Sequence, residues 1–271
     1  MSSATSRPLS RTERLRAVLD LLAETGHIEV EDIVQRLDVS PATARRDLDA
    51  LAAQQLLSRT RGGATGQSVA YDLPLRYKRE RNAEQKQAIA RAASELVPRG
   101  AVVGLSGGTT STAVASVLGA RPDVAEPSTQ PTLTVVTNAI NIAAALLMRP
   151  QIKVVITGGV VQARSYELVG PYTDAVLDRI TLDVAFIGVN GVDPVFGATV
   201  HDEREAAVNA TMARRAERAV LIADSSKIGR KAFAAVGEPT SFDTFITDSG
   251  ITAEQRAAFE ERSVRVVIAD E

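Results

Sequence analysis

SPATARRDLDALAAQQLLSRTRGGA, residues 40–64, is the stretch on which the front of this chain turns. Serine followed by proline starts a helix well. Ser40 can accept from first-turn amides, and Pro41 at the first helical position gives up a donor that no helix bond needs. At about 100° per residue, Ala44, Leu48 and Leu51 fall on one side of the helix that follows. Arg46 points the opposite way, Thr43 and Arg45 lie on the flanks, and Ala42 and Ala50 lie near Arg46. The helix is expected to reach about Gln54, after which Leu56 to Arg61 alternates like a hairpin edge closed by Gly62-Gly63.

Working upstream, Leu15, Val18, Leu19 and Leu22 recur at helical spacing over 12–25, with Gly26 as C-terminal cap. Ile33, Val34 and Leu37 mark a second short helix over 30–37. Three short helices with a tight turn before the third form a helix-turn-helix arrangement. Its exposed start offers Ser40, Ala42, Thr43, Arg45 and Arg46. Arginine can hold guanine O6 and N7 with two bonds, and alanine permits close approach or contact with a thymine methyl. Arg59 and Arg61 can reach phosphate or a minor groove, and Gly62-Gly63 would let the backbone turn close to DNA. A plain three-helix bundle with solvated arginines meets the same spacing.

Composition bounds the rest. The 271 residues suffice for a small domain and a larger one, and 45% hydrophobic with 24% charged residues is ordinary for a globular chain. With no cysteine, disulfides and thiolate chemistry are excluded, and with two histidines a zinc site is not expected. No cofactor is expected. No apolar run approaches a membrane span, and the polar start MSSATSRPLSR reads as a disordered arm rather than a secretory signal, so the expected location is the cytoplasm. The net charge of −2 does not favour a nucleic-acid partner. Its distribution softens this: residues 1–81 carry thirteen basic against eleven acidic residues, +2, leaving −4 for the remainder.

Residues 66–80 lack apolar periodicity and read as a linker. Beyond a helix at about 83–97, apolar runs recur at 101–105, 133–137, 153–157, 184–189, 219–223, 244–247 and 264–268, mostly with helical stretches between. That alternation predicts a mostly parallel α/β domain. Residues 120–132 read as a surface loop.

Polar groups recur where these strands end. Ser106, Gly107, Gly108, Thr109 and Thr110 lie between a strand and a helix, offering amides and hydroxyls to an anion. Neither a P-loop lysine nor G-x-G-x-x-G is present, which weakens nucleotide and dinucleotide readings. Asn138, Gly159, Asn190, the pair Asp202 and Glu205, and Lys227 follow later strands or loops. Each alone is as well read as a turn or a solvated surface. Strand ends converge in an open α/β sheet, so a shared ligand site is the expectation.

Residues 40–64 resemble the DNA-binding signature of the DeoR family of bacterial regulators: a Ser/Thr-rich start, Arg-Arg-Asp-Leu, then a basic hairpin ending Gly-Gly-Ala. The resemblance implies a winged helix-turn-helix, with Arg45 and Arg46 on the recognition helix and Arg59 to Gly63 in the wing. From about Tyr77 onward TNAINIA, ITGG, VGP, DVAFIGVNGVD, GATVHDEREA and ADSSK resemble the family's sensor domain. Such domains are similar to ribose-5-phosphate isomerase and bind phosphorylated sugars or their relatives. Where the isomerases carry carboxylates, this chain has Ile187 and Asn190, which implies binding without proton shuttling. Many relatives have an aspartate before Gly-Thr-Thr, where Ser106 and Gly107 stand here. Gly-Gly-Thr-Thr is similar to the loop in regulators of amino-sugar and galactitol use, which implies an amino-sugar phosphate.

The expected organisation is an arm over 1–10, a winged helix-turn-helix over 11–65, a linker over 66–80 and an α/β sensor of ribose-5-phosphate isomerase-like type over 81–271. The expected function is that of a DNA-binding regulator, a repressor of a carbohydrate operon released by a phosphorylated sugar. It is expected to act as a dimer or tetramer, because one small domain buries too little surface for tight operator binding. The alternatives are a sugar-phosphate isomerase carrying a DNA-binding domain, and an activator or constitutive DNA-binding protein whose second domain only oligomerises.

Overall fold

In the computed structural model, residues 9–54, 56–65 and 82–270 are described, and the chain divides into two compact units, Met1–Leu73 and Pro74–Glu271. The expected linker lies outside the described residues, as does most of the expected arm.

The first unit holds α1 (Arg11–Thr25), β1 (His27–Glu29), α2 (Val30–Leu37), α3 (Pro41–Ala53), β2 (Ser58–Arg59) and β3 (Gly63–Thr65). Ser10, expected in the arm, instead caps α1 in a reciprocal box with Glu13, and Gly26 closes the helix in the left-handed region. Ser40 accepts from the Thr43 amide at the start of α3, with Pro41 in the first turn. Leu15, Val18, Leu19, Leu22, Ile33, Ala44, Leu48 and Leu51 are buried, so the helical faces seen in sequence form the core. The wing has three strands rather than a hairpin, because β1 pairs antiparallel with β3.

One polar contact fixes this bundle. Asp47 is buried on the core side of α3 and takes a two-pronged bond from Arg14 of α1, through Nε to one oxygen and through Nη2 to the other at 3.1 Å. The hydrogen bond to Asp47 raises the Arg14 pKa further. Planar Arg–carboxylate pairing locks both distance and rotation between two helices.

The second unit is built on a seven-stranded sheet of β4 (Val102–Leu105), β5 (Leu133–Thr137), β6 (Ile152–Ile156), β9 (Leu182–Gly188), β12 (Ala216–Ile222), β14 (Thr244–Asp248) and β15 (Arg265–Ala269). Their order is β15-β14-β12-β9-β4-β5-β6, and every pairing is parallel. Burial on both faces explains the continuous apolar runs. Along β9, Val184 and Phe186 face one core while Ala185 and Ile187 face the other. The helices α4 (Ala83–Glu95), α5 (Thr109–Ala120) and α7 (Ile140–Leu146) cover the first face. The second is covered by α8 (Pro171–Leu177), α9 (Glu203–Arg214) and α10 (Ala253–Glu260).

Three features depart from the sequence expectation. The stretch 120–132 is more than a surface loop: α6 (Pro122–Ala125) sits in it, and Val124 and Thr132 are buried. A hairpin of β7 (Val160–Gln162) and β8 (Glu167–Val169) follows β6. A second small antiparallel sheet joins β10 (Gly191–Asp193), β11 (Gly197–Val200) and β13 (Ala234–Gly237). These strands are three or four residues long, too short to carry a readable alternation.

Asp47→Ala should leave Arg14 without its acceptor and destabilise the first unit by about 1.5–3 kcal/mol. In the full chain, amide hydrogen exchange in α1 and α3 should accelerate roughly ten- to a hundred-fold while the parallel strands keep their protection. Unchanged exchange in α1 would show that the ion pair does not hold the bundle.

Candidate functional site

In the first unit Ala42, Arg45 and Arg46 are exposed along the start of α3, and Thr43 is half-buried. The hydroxyls of Ser40 and Thr43 lie 2.9 Å apart, so the cap and the neighbouring donor are linked. No ion pair holds Arg45, Arg46 or Arg61 among the described residues. A cleft between α2, the start of α3 and the wing is lined by Gln35, Pro41, Arg45, Arg59, Arg61 and Gly62, with Glu29 and Glu31 at one side.

Two wing residues also have partners within the unit. Arg59 is held within the unit: its Nη1 donates to the Gly63 carbonyl at 2.7 Å and its Nε pairs with Asp49 at 2.9 Å. It therefore braces the wing against α3 while staying exposed, as Arg61 does. Gly63 is buried, and a methyl there would stand 1.9 Å from the Ile28 carbonyl oxygen. Its missing side chain lets β1 and β3 pair, whereas Gly62 has open space around it.

In the second unit the strand order sets the loops after β12, β9, β4, β5 and β6 side by side at one edge of the sheet. Ser106 is fully buried after β4 and accepts from the Gly188 amide at 2.9 Å, which ties that loop to the end of β9. Ser111 and Thr112 donate back to the carbonyls of Gly107 and Gly108. Gly108 and Thr109 are half-exposed at the start of α5, while Thr110 is buried. Thr137 at the end of β5 donates to the Leu105 carbonyl at 2.7 Å, drawing Asn138 against the same loop.

The space beside Gly107 is filled. A methyl there would lie 2.1 Å from the carboxyl carbon of Glu167, a buried residue of β8. The Asn138 side-chain amide donates to Glu167 Oε2 at 2.9 Å and to the Leu168 carbonyl at 3.3 Å. Gly107 is thus a point of close approach between this loop and the Glu167 side chain. Glu167 carries no sequence signal, because it follows a turn at Tyr166 and its partners are far away in the chain.

The hairpin also joins Asn138 to Asp202. Gln162 and Glu167 are direct cross-strand partners, so their side chains share a face. Gln162 donates to Asp202 at 3.0 Å. Asp202 caps α9 through the amides of Arg204 and Glu205 and pairs with Arg204 at 2.6 Å. Burial pushes the Asp202 carboxyl up, but the bonds from Arg204 and the two amides outweigh it and hold its pKa below the usual carboxylate range. Glu205 is buried in the first turn of α9. Asn190, after β9, accepts from the His201 amide at 3.2 Å. Ile187 is enclosed in the core, and Asp193 accepts from the amides of Val195 and Phe196, turning the β10–β11 hairpin.

Lys227 ends a single 3-10 turn, Ser225–Lys227, that is tied to β10 through the Gly229 amide and the Val192 carbonyl. Asp224 accepts from the Asn82 side chain at 2.8 Å, and Asp248 accepts from the Ser225 amide and hydroxyl. Gly159 packs against Thr173 and the Val169 backbone, the latter on the same strand as Glu167. Bonds and close approaches therefore join Ser106, Gly107, Asn138, Glu167, Gln162 and Asp202. Lys227 and Asn190 adjoin that set through neighbouring strand ends.

Residues 14–68 match the DeoR-like helix-turn-helix domain, and residues 81–249 match the DeoR C terminal sensor domain. The chain is 34% identical to the HTH-type transcriptional regulator GlpR of Haloferax volcanii, over 94% of this chain and 96% of that protein. It is 29% identical to the glycerol-3-phosphate regulon repressor of Escherichia coli K12, over 89% and 92% respectively. Among solved structures, ribose 5-phosphate isomerase A from Methanocaldococcus jannaschii is 21% identical with a TM-score of 0.41, covering 54% of this chain and 55% of that one.

Arg46→Ala should lower affinity for a cognate duplex, selected from random DNA, by about 1–3 kcal/mol and relax preference at one base position. Unaltered affinity and preference would remove α3 from the groove.

Proposed function

We propose that this chain, which belongs to the DeoR family of transcriptional regulators, is a repressor of a carbohydrate operon whose operator hold is released by a phosphorylated sugar at the carboxyl edge of its parallel sheet. The observation that carries this reading is the hydrogen-bonded convergence of Ser106, Asn138 and Asp202 beside the open start of α5. A domain serving only to oligomerise has no need of such a buried polar set, since each member costs desolvation unless it is paired.

The phosphate is assigned to the amides of Gly108, Thr109 and Thr110, where the α5 dipole favours an anion, with Lys227 supplying formal charge. Asn138, Asn190, Asp202 and Glu205 are assigned to the polyol part. The name of one relative, the glycerol-3-phosphate regulon repressor, supports a phosphate ester of a small polyol or sugar. Turnover is not expected: Ile187 and Asn190 stand where the isomerase resemblance implies carboxylates, and a sugar isomerisation needs a base at the substrate carbon. Ser40, Ala42, Thr43, Arg45, Arg46, Arg61 and Gly62 are assigned to the operator, and a dimer or tetramer to the paired half-sites. No described helix is long and apolar enough to cross a membrane, and we assign the protein to the cytoplasm with its DNA.

A panel led by glycerol 3-phosphate and glucosamine 6-phosphate tests this by calorimetry on the full chain. Lys227→Ala should weaken the phosphate that binds by roughly ten- to a hundred-fold, the worth of one charge-assisted bond. It should leave operator affinity intact and respond less to inducer in cells. Equal affinities would take Lys227 out of the site, and measurable isomerisation of a sugar phosphate would favour the enzyme.

A further inference from the structure

Resting on the paired half-sites of that reading, we infer that two copies of this chain join through the free edge of β6 and the outer flank of α7, about a two-fold axis at Val154. The two ends of the central sheet are unlike. Twelve large hydrophobic side chains are exposed among the described residues, and eight of them lie between Ile140 and Tyr172, around the β6 end. None lies beyond Phe233, where β14 and β15 form the other end. On its face of the sheet α7 packs on α5 at one side and on β6 beneath, and its Ile142 and Leu146 turn into the core. Ile140, Ala144, Leu147 and Met148 follow at i, i+4, i+7 and i+8 on the opposite flank and are exposed, the last two at 71% and 80%. That spacing is an apolar stripe of the kind a helix buries, and a monomer seldom leaves a large apolar patch open.

The backbone of the strand is open beside this stripe. The Thr157 amide donates to the Thr137 carbonyl of β5, and the Gln151 carbonyl accepts from the Thr132 amide. Polar groups alternate in direction along a strand, so Lys153 and Val155 also turn theirs toward β5, and Ile152, Val154 and Ile156 turn theirs to the free side. Among the described strands β6 pairs with β5 alone, which leaves the Val154 amide and carbonyl open there. An open strand edge is a template for another strand.

A second copy of the chain fits both features at once. An antiparallel pairing about Val154 sets Ile152 against the partner's Ile156 and Val154 against the partner's Val154, the one axis that engages all three outward residues among themselves. Each contact recurs in reverse, as a two-fold interface requires. Lys153, the one charge in β6, falls opposite the partner's Val155, whereas an axis at Lys153 would set two lysines face to face. The same symmetry suits a pair of operator half-sites.

The chain has no cysteine, so full chains carrying one each report the register. Residues opposite one another in a non-hydrogen-bonded antiparallel pair lie about 4.5 Å apart, within reach of a disulfide, and diagonal neighbours about 7–8 Å, beyond it. Lys153→Cys mixed with Val155→Cys should oxidise to a mixed disulfide dimer, and neither variant alone should. Val154→Pro removes the outward amide at a position where an edge strand tolerates proline. It should keep the wild-type circular dichroism and weaken association in sedimentation by roughly thirtyfold, the loss of two backbone bonds across the axis. Leu147→Glu should weaken association from the helix flank. Association of wild-type strength in both variants overturns the inference and moves the interface to another surface, such as the exposed Phe196 and Phe233. A wild type that stays monomeric, or a cross-link formed by either single cysteine variant alone, also overturns it. A chain that cross-links as stated yet binds no operator DNA contradicts the regulator reading and leaves this interface standing.

Discussion

Parallel pairing of all seven central strands is the constraint on which the second unit depends. Strands that run the same way end on the same edge, so each loop that follows one is delivered to that edge whatever its sequence. The hydrogen bonds between strand ends then bring particular residues together. Ser106 takes the Gly188 amide and Thr137 reaches the Leu105 carbonyl, so β9, β4 and β5 are stitched together at the point where their loops begin. Neutral groups accomplish this, leaving charge to be placed deliberately at Glu167, Asp202 and Lys227.

The first unit solves a different problem with the same economy. A recognition helix must present arginines outward without rotating them inward. Ala44, Leu48 and Leu51 hold one side of α3 by packing, and Arg14 grips Asp47 from α1. Apolar packing alone tolerates small rotations, whereas a two-pronged ion pair does not. Arg59, braced on Asp49 and on the Gly63 carbonyl, plays the same part for the wing. Of the basic residues in this unit, some hold the frame and others remain exposed on its surface.

Legibility from sequence followed the range of the interactions. Caps and helical faces are local, so Gly26, Ser40, Pro41 and the Ala44–Leu48–Leu51 face could be read directly. The central strands were readable because burial on both sides leaves uninterrupted apolar runs. The short strands were not, since three residues carry no period. Roles set by distant partners were also hidden. Arg59 looks like any wing cation until Asp49 is found beside it, and Gly63 looks like a flexible turn until Ile28 is found against it. Asp47 sits in a recognisable motif, yet nothing nearby announces Arg14. Glu167 was invisible for the same reason: its position matters only because Gly107 and Asn138 are folded onto it.

The central claim is that the carboxyl edge of the parallel sheet takes a phosphorylated ligand and that occupancy there governs the hold on DNA. Amide hydrogen exchange on the operator-bound full chain, before and after adding the tightest-binding sugar phosphate, tests it most directly. The account predicts slower exchange at residues 106–110 and 225–228 as the ligand binds, together with faster exchange at the start of α3 as the operator leaves. Protection at a different edge of the second unit, or full protection at 106–110 with the operator still held, would contradict it.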